Sequence, residues 1–164
     1  ARRYFTYLAD CAPETPVVIG DGRLALARAG ASAFDLIAID AFSSDAVPVH
    51  LLTREALAGY LAKLDAAGVV LFHLSNRHLE LAPVAAALAR DAGLAGRMQS
   101  FKPAARGQGT SPHEVAQSLW VALARSEAAL GSLASDPRWT PLAAKANARA
   151  WTDGFSNLVE SIRW

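Results

Sequence analysis

The chain has 164 residues, of which 52% are apolar and 19% are charged, so it can bury a hydrophobic core and is not an intrinsically disordered segment. The 16 Lys and Arg against 15 Asp and Glu leave a net charge of +1, which argues against a nucleic-acid partner or an anionic membrane surface. The single cysteine, Cys11, excludes an intrachain disulfide and a cysteine-based zinc site, and it favours a reducing, cytoplasmic compartment.

The first predicted element is the end of a helix at residues 4–9, which is followed by a turn containing Pro13 and Pro16. The chain begins at Ala1 without a methionine or a signal-like apolar region, so we expect it to be a piece of a longer chain. No apolar run reaches the roughly 18 residues of a membrane-spanning helix. We therefore predict no membrane span within these residues.

Three short apolar runs alternate with three amphipathic or alanine-rich stretches. The runs predict buried strands at 16–20, 34–40 and 68–74, and the other stretches predict helices at 24–29, 53–64 and 83–92. This alternation indicates a doubly wound, mostly parallel α/β sheet.

The C-terminal half is less regular than the first half. Residues 97–101 and 118–123 predict a closing antiparallel strand pair, with a loop rich in Gly, Pro and Ser at 102–114, and residues 126–135 predict a helix. No linker interrupts the pattern, so we predict a single domain over residues 1–164.

Acidic residues follow the first two predicted strands, at the edge where parallel sheets bind ligands. Asp21 follows the first strand, Asp40 follows the second, and Asp45 lies in the next loop. Asp21 could equally cap the following helix, and the two loop acids could form a solvated acidic surface. Two carboxylates over one crevice suit an amine substrate, because one can hold an ammonium group while the other removes a proton from the nucleophile.

The histidines and serines give weaker signals. His73 and His78 are not spaced as a helical metal pair, so we predict no metal site and favour a hydrogen-bonded structural role for His73. His50 lies near the acidic loop and could contact a ligand. Ser43 and Ser44 lack the GxSxG turn around a nucleophile, which disfavours a hydrolase triad.

Four segments together are similar to a known family. They are VIGDGR at 18–23, FDLIAID at 34–40, DAFSSDAVPVHLLT at 40–53, and WTDGFSN at 151–157. They resemble the spermidine synthase family of polyamine aminopropyltransferases, and a bacterial spermidine synthase-like subgroup often fused to a transporter-like membrane part. The resemblance implies the class I methyltransferase fold, a Rossmann-like sheet. It also implies that this chain is the C-terminal part of the catalytic domain and lacks the first two strands.

The resemblance also implies roles for individual residues. Asp40 would be the catalytic base, and Asp45 would hold the polyamine's ammonium group; we add His50 and His73 as candidate substrate contacts. The donor would be decarboxylated S-adenosylmethionine, or S-adenosylmethionine itself. The residues expected around that donor are Asp21, Gly22, Ala41, Pro48, Val49 and Leu52.

Three functions remain open from the sequence. The first is aminopropyl transfer to a polyamine such as putrescine, giving spermidine and methylthioadenosine. The second is an S-adenosylmethionine-dependent methyltransferase, and the third is a non-catalytic module that senses a nucleoside or a polyamine. The four residues between Asp40 and Asp45, and His73 in place of a family glutamine, leave room for the third. We expect no nucleic-acid partner, and we keep open a homodimer and a membrane domain elsewhere in the full-length chain.

Overall fold

The computed structural model describes residues 6, 10, 16–41, 48–76, 78–102, 117–144 and 148–162. Nearly all of the predicted helix end at 4–9 and of the predicted loop at 102–114 lies outside these residues. Ser43, Ser44 and Asp45 also lie outside them.

The described helices and strands follow the predicted order. The α-helices are α1 (Gly22–Ala27), α2 (Arg54–Lys63) and α3 (Ala82–Asp91). The strands are β1 (Phe34–Ile39), β2 (Leu64–His73), β3 (Ala95–Phe101), β4 (Ser118–Ala124) and the short β5 (Thr140–Pro141). Three 3₁₀ segments cover Val49–Leu51, Ala128–Ala134 and Val159–Ser161.

The five strands form one mixed sheet in the order β1-β2-β4-β3-β5. β1 and β2 are parallel, and the helix α2 lies between them in sequence, as in a βαβ unit. The other neighbouring pairs, β2 with β4, β4 with β3, and β3 with β5, are antiparallel. The predicted α/β Rossmann-like class and the closing antiparallel pair are confirmed. Within the described residues the parallel part consists of β1 and β2.

The hydrophobic core covers both faces of β2. Val70 and Phe72 belong to a cluster that also contains Leu57 of α2 and Leu88 of α3. The alternate residues of β2 pack against a second cluster around Leu130, in the 3₁₀ segment. β2 is therefore the central strand, and its C-terminal end is held firmly from both sides.

One predicted strand is not present. Residues 16–19 are irregular, and the side chain of Ile19 is 91% exposed. β1 was expected to be covered on both faces, yet Leu36 is 55% exposed while Ile37 is buried. Within the described residues nothing pairs with the free edge of β1. A run of β-branched residues becomes a buried strand only when a neighbouring strand accepts its hydrogen bonds, so pattern alone was insufficient here.

The predicted helix at 126–135 is also different. It is a 3₁₀ segment interrupted at Gly131, whose φ of 57° lies in the left-handed region. A residue in that conformation cannot continue a right-handed helix, and glycine adopts it at little cost.

Candidate active site

Asp40 and His73 lie side by side at the carboxyl ends of β1 and β2. The parallel register pairs Ile39 with Phe72, so the next residue of each chain segment emerges at the same edge. Asp40 Oδ1 lies 2.7 Å from His73 Nδ1. Since a carboxylate only accepts hydrogen bonds, Nδ1 carries the proton and donates it to Asp40.

His73 is held on two further sides. Its Nε2 lies 2.6 Å from Ser75 Oγ, and Ser75 Oγ accepts a hydrogen bond of 2.9 Å from the backbone N–H of Leu119. Its ring stacks on Trp120 with a centroid distance of 4.3 Å and an interplanar angle of 7°. The stack follows directly from the antiparallel register, which pairs His73 with Trp120.

Asp40 is restrained without being buried. Its side chain is 57% exposed, while the imidazole that bonds to it is 20% exposed. One carboxylate oxygen is therefore engaged by His73, and the exposed side chain can still meet a ligand. This geometry suits a general base whose orientation is set by a fixed donor.

A cavity of about 590 Å³ lies at the start of α1 and α2. This volume is within the range of about 300–1,000 Å³ common for small-molecule sites. The residues that line the cavity come from α1, the 3₁₀ segment before α2 and the loop at 152–156, and they are Arg23, Val49, His50, Thr53, Thr152, Asp153, Gly154, Phe155 and Ser156.

Asp153 joins the walls of this cavity. Its two carboxylate oxygens accept hydrogen bonds of 2.8 and 2.9 Å from the Arg23 guanidinium. Oδ1 also accepts a bond of 2.7 Å from the Thr53 hydroxyl, and the Asp153 backbone N–H donates to Glu55 at 2.9 Å. The hydrogen bonds from Arg23 and then Thr53 lower the pKa of Asp153 to about 2.

Thr53 connects this network to α2. Its hydroxyl oxygen accepts a bond of 3.2 Å from the Ala56 N–H and so caps the helix. Trp151, at the start of the C-terminal loop, is 3% exposed, and its carbonyl accepts a 2.8 Å bond from the Arg54 N–H. The C-terminal loop is thus anchored to the N-terminus of α2 by an aromatic side chain and by charged hydrogen bonds.

Asp21 takes the capping role that the sequence left open. Its Oδ1 accepts a 3.0 Å bond from the Leu24 N–H at the start of α1. This backbone bond lowers the pKa of Asp21, with smaller contributions from the Arg23 N–H and from the charges of His50 and Arg23. Gly22 is the first residue of α1. Both remain exposed and lie beside Arg23 of the cavity wall.

The other predicted site residues lie in several different environments. Val49 and His50 line the cavity, and Ala41 follows Asp40 and is half-buried. Pro48 precedes the 3₁₀ segment. Leu52 is 1% exposed and lies in the hydrophobic core, so its described environment is packing and not cavity surface. The predicted residue Asp45 lies outside the described residues.

The described residues offer neither a metal site nor a membrane-spanning helix. No group of three or more His, Cys, Asp or Glu side chains there could hold a metal ion. None of the helices described here is long and apolar enough to cross a membrane.

Comparisons with known proteins agree with this fold. No family model matches the chain. A polyamine aminopropyltransferase from Vibrio vulnificus (strain CMCP6) is 38% identical over 72 residues, which are 43% of this chain and 23% of that protein. A crystal structure described as a probable spermidine synthase from Corynebacterium glutamicum ATCC 13032 aligns with a TM-score of 0.53 and 14% identity, over 93% of this chain and 61% of that one.

The chain is thus similar in sequence to a polyamine aminopropyltransferase over 72 residues, and similar in fold to a probable spermidine synthase. The structural neighbour supports the fold, and the sequence match supports the family resemblance. The matched segment spans about a quarter of the length of the Vibrio protein, and the chain covers less than two thirds of the Corynebacterium structure.

Sequence reasoning missed several residues of this candidate site. Arg23 and Asp153 both lie in segments that carry the family resemblance, VIGDGR and WTDGFSN, and this proximity to a motif was an available signal. Ser75 and Trp120 gave no comparable signal. Their contacts with His73 depend on the path of residues 74–76 after β2 and on the register between β2 and β4.

Proposed function

We propose that this chain is the C-terminal part of an aminopropyltransferase domain. The domain would transfer the aminopropyl group of decarboxylated S-adenosylmethionine to a polyamine such as putrescine. The observation that carries the proposal is the exposed Asp40 carboxylate, held at the exit of β1 by the Nδ1–H of His73. The sequence match to a polyamine aminopropyltransferase supports the same chemistry.

The reaction needs a base at this position. An alkylamine with a pKa near ~10 is almost entirely protonated at neutral pH and must lose a proton before it can attack. The amine nitrogen forms a bond to the carbon beside the sulfonium as the carbon–sulfur bond breaks. The electron pair stays on sulfur, which leaves as the thioether of methylthioadenosine. Asp40 accepts the proton that the amine nitrogen gives up.

The cavity beside α1 fits the nucleoside end of the donor. Val49 and Phe155 offer apolar surface, and Thr152 and Ser156 offer hydrogen-bonding groups on the same wall. Asp21 keeps a carboxylate oxygen beyond the one that caps α1, which could accept a bond from an exocyclic amine. Asp45, which carries the proposed ammonium contact, lies between Asp40 and Val49 in the sequence.

Product analysis of the full-length protein tests the proposal. The protein is incubated with putrescine and either sulfonium donor, and the products are identified by mass spectrometry. Aminopropylated product supports the proposal, methylated product identifies a methyltransferase, and binding without turnover identifies a sensing module. Asp40→Asn should lower turnover by about 10²–10⁴-fold, as loss of a general base does.

Asp35→Asn is the matched control for this experiment. Asp35 is an exposed carboxylate near the opposite end of β1, so its replacement changes the charge equally without touching the proposed site. Equal losses in the two variants would contradict the role of Asp40.

We also propose that the 164-residue chain alone binds the donor nucleoside weakly. In the family the glycine-rich turn and an acidic ribose contact come from the first two strands, and here the described edge of β1 is unpaired. Thermal unfolding should be unchanged by millimolar methylthioadenosine. A micromolar dissociation constant for the chain alone would refute this expectation.

A further inference from the structure

The row of side chains Asp40, His73 and Trp120 crosses three adjacent strands, β1, β2 and β4. Ser75, two residues after His73, adds a fourth side chain to this row. Strand register places Asp40, His73 and Trp120, and Ser75 follows in the segment after β2. His73 contacts each of the other three side chains.

We propose that His73 is a positioning residue that fixes the Asp40 carboxylate for proton removal, with Ser75 and Trp120 holding the imidazole in the required tautomer and plane. This inference rests on the proposed function of Asp40. His73 donates through Nδ1, and in that tautomer Nε2 is an acceptor, so Ser75 donates its hydroxyl proton to Nε2 while its oxygen accepts from the Leu119 N–H. The ring can then neither flip nor tilt without losing one of these bonds.

The order of contacts, from Ser75 through His73 to Asp40, resembles that of a Ser-His-Asp triad. The structure nevertheless gives Ser75 a different role from that of the serine in a triad. In a triad the serine oxygen is an open nucleophile. Here Ser75 Oγ is occupied by a backbone N–H, whereas the carboxylate at the other end is the exposed member. Asp40 is the exposed end of this row of hydrogen bonds, so Asp40 is the group that contacts the substrate. Ser75, at the other end, holds the imidazole in place.

Two amide variants separate the two nitrogens of His73. The amide nitrogen of asparagine lies at the same number of bonds from Cα as Nδ1, and that of glutamine as Nε2. His73→Asn therefore keeps a donor toward Asp40, while His73→Gln keeps a polar group toward Ser75. We expect His73→Asn to stay within about threefold of the wild-type kcat, and His73→Gln and His73→Ala to lose about 10–100-fold.

The amine KM discriminates positioning from substrate binding. If His73 acts through Asp40, kcat falls in His73→Gln while KM for the amine changes by less than about threefold. Equal kcat values for the Asn and Gln variants, or a loss confined to KM, would overturn the proposal. Covalent labelling of Ser75 by a fluorophosphonate probe would also overturn it, because it would identify Ser75 as the nucleophile.

A second measurement does not depend on turnover. Imidazole ¹⁵N NMR of the 164-residue chain reports which nitrogen of His73 carries the proton. We expect the Nδ1–H tautomer in the wild type, because the Asp40 carboxylate can only accept a hydrogen bond from Nδ1. An Nε2–H tautomer in the wild type would refute the positioning role even in an active enzyme. The expected tautomer in a protein without aminopropyl transfer would refute only the proposed function.

Discussion

Replacing Leu52 tests whether the residue after the 3₁₀ segment belongs to the hydrophobic core or to a ligand-binding surface. Family resemblance placed Leu52 beside the donor, whereas the structure places it in the core at 1% exposure. Leu52→Ala removes three carbon groups, which at about 0.8 kcal/mol each costs about 2.4 kcal/mol in transfer free energy alone. The cavity left behind adds to this, so we expect a loss of about 3 kcal/mol.

Val49→Ala is the matched comparison. Val49 lies three residues earlier, is half-buried and faces the cavity, so its truncation leaves less unfilled core volume. We expect this variant to lose about 1 kcal/mol or less. A change in ligand affinity caused by Val49→Ala should therefore be measurable without a large loss of stability.

Urea unfolding followed by circular dichroism measures both variants. For a chain of this length a loss of about 3 kcal/mol lowers Tm by about 6–12 °C. The urea midpoint should fall in Leu52→Ala with an unchanged m-value. A Leu52→Ala loss below about 1 kcal/mol, or one equal to that of Val49→Ala, would refute the assignment of Leu52 to the core.

Three further predictions concern ionisation and the C-terminal loop. Asp153 has a folded pKa of about 2 because of Arg23 and Thr53, so its stabilisation is present above about pH 4 and is lost as pH falls through 2. Asp153→Asn should flatten that acid limb in urea titrations. Burial raises the pKa of Tyr60 to about 12, so its stabilisation is present below about pH 10 and is lost as pH rises through 12. Tyr60→Phe should remove that alkaline limb and cost about 1 kcal/mol at neutral pH, because the Leu51 carbonyl loses its donor. Trp151→Ala should cost about 3–5 kcal/mol in thermal unfolding, and a near-neutral result would show that the loop is not anchored by this ring.

Local signals predicted the helices α2 and α3 and the strands β1 and β2 well. Thr53 precedes α2 as a capping residue, and the spacing of Leu57 and Tyr60 places both on the buried face. The sequence also places Leu52 at helical spacing with Leu57 and Tyr60, and the structure puts Leu52 in the core. Its burial follows from this apolar pattern, and the donor contact that the resemblance implies for Leu52 stays a prediction.

Long-range pairing could not be predicted in the same way. The run at 16–20 has strand composition, but its pairing depends on a neighbour outside the run. Asp40 and His73 are 33 residues apart, and only the parallel register brings them within hydrogen-bond distance. A shift of one residue in that register would turn one of the two side chains to the other face. The sequence motif therefore identified Asp40, whereas the pairing of β1 with β2 in the sheet identifies His73 as its partner.

The cavity wall and the exposed edge at Asp40 differ in charge, and this difference bears on where each proposed substrate binds. In the cavity, the Arg23 guanidinium and the Asp153 carboxylate bind each other through both oxygens, so this pair adds no net charge to the wall. Such a surface suits an uncharged nucleoside and offers little competition for a cationic amine. Asp40, by contrast, accepts a hydrogen bond from the Nδ1–H of His73 at an exposed edge of the sheet. Under the proposed function, this exposed carboxylate would attract a cationic amine toward the proposed base.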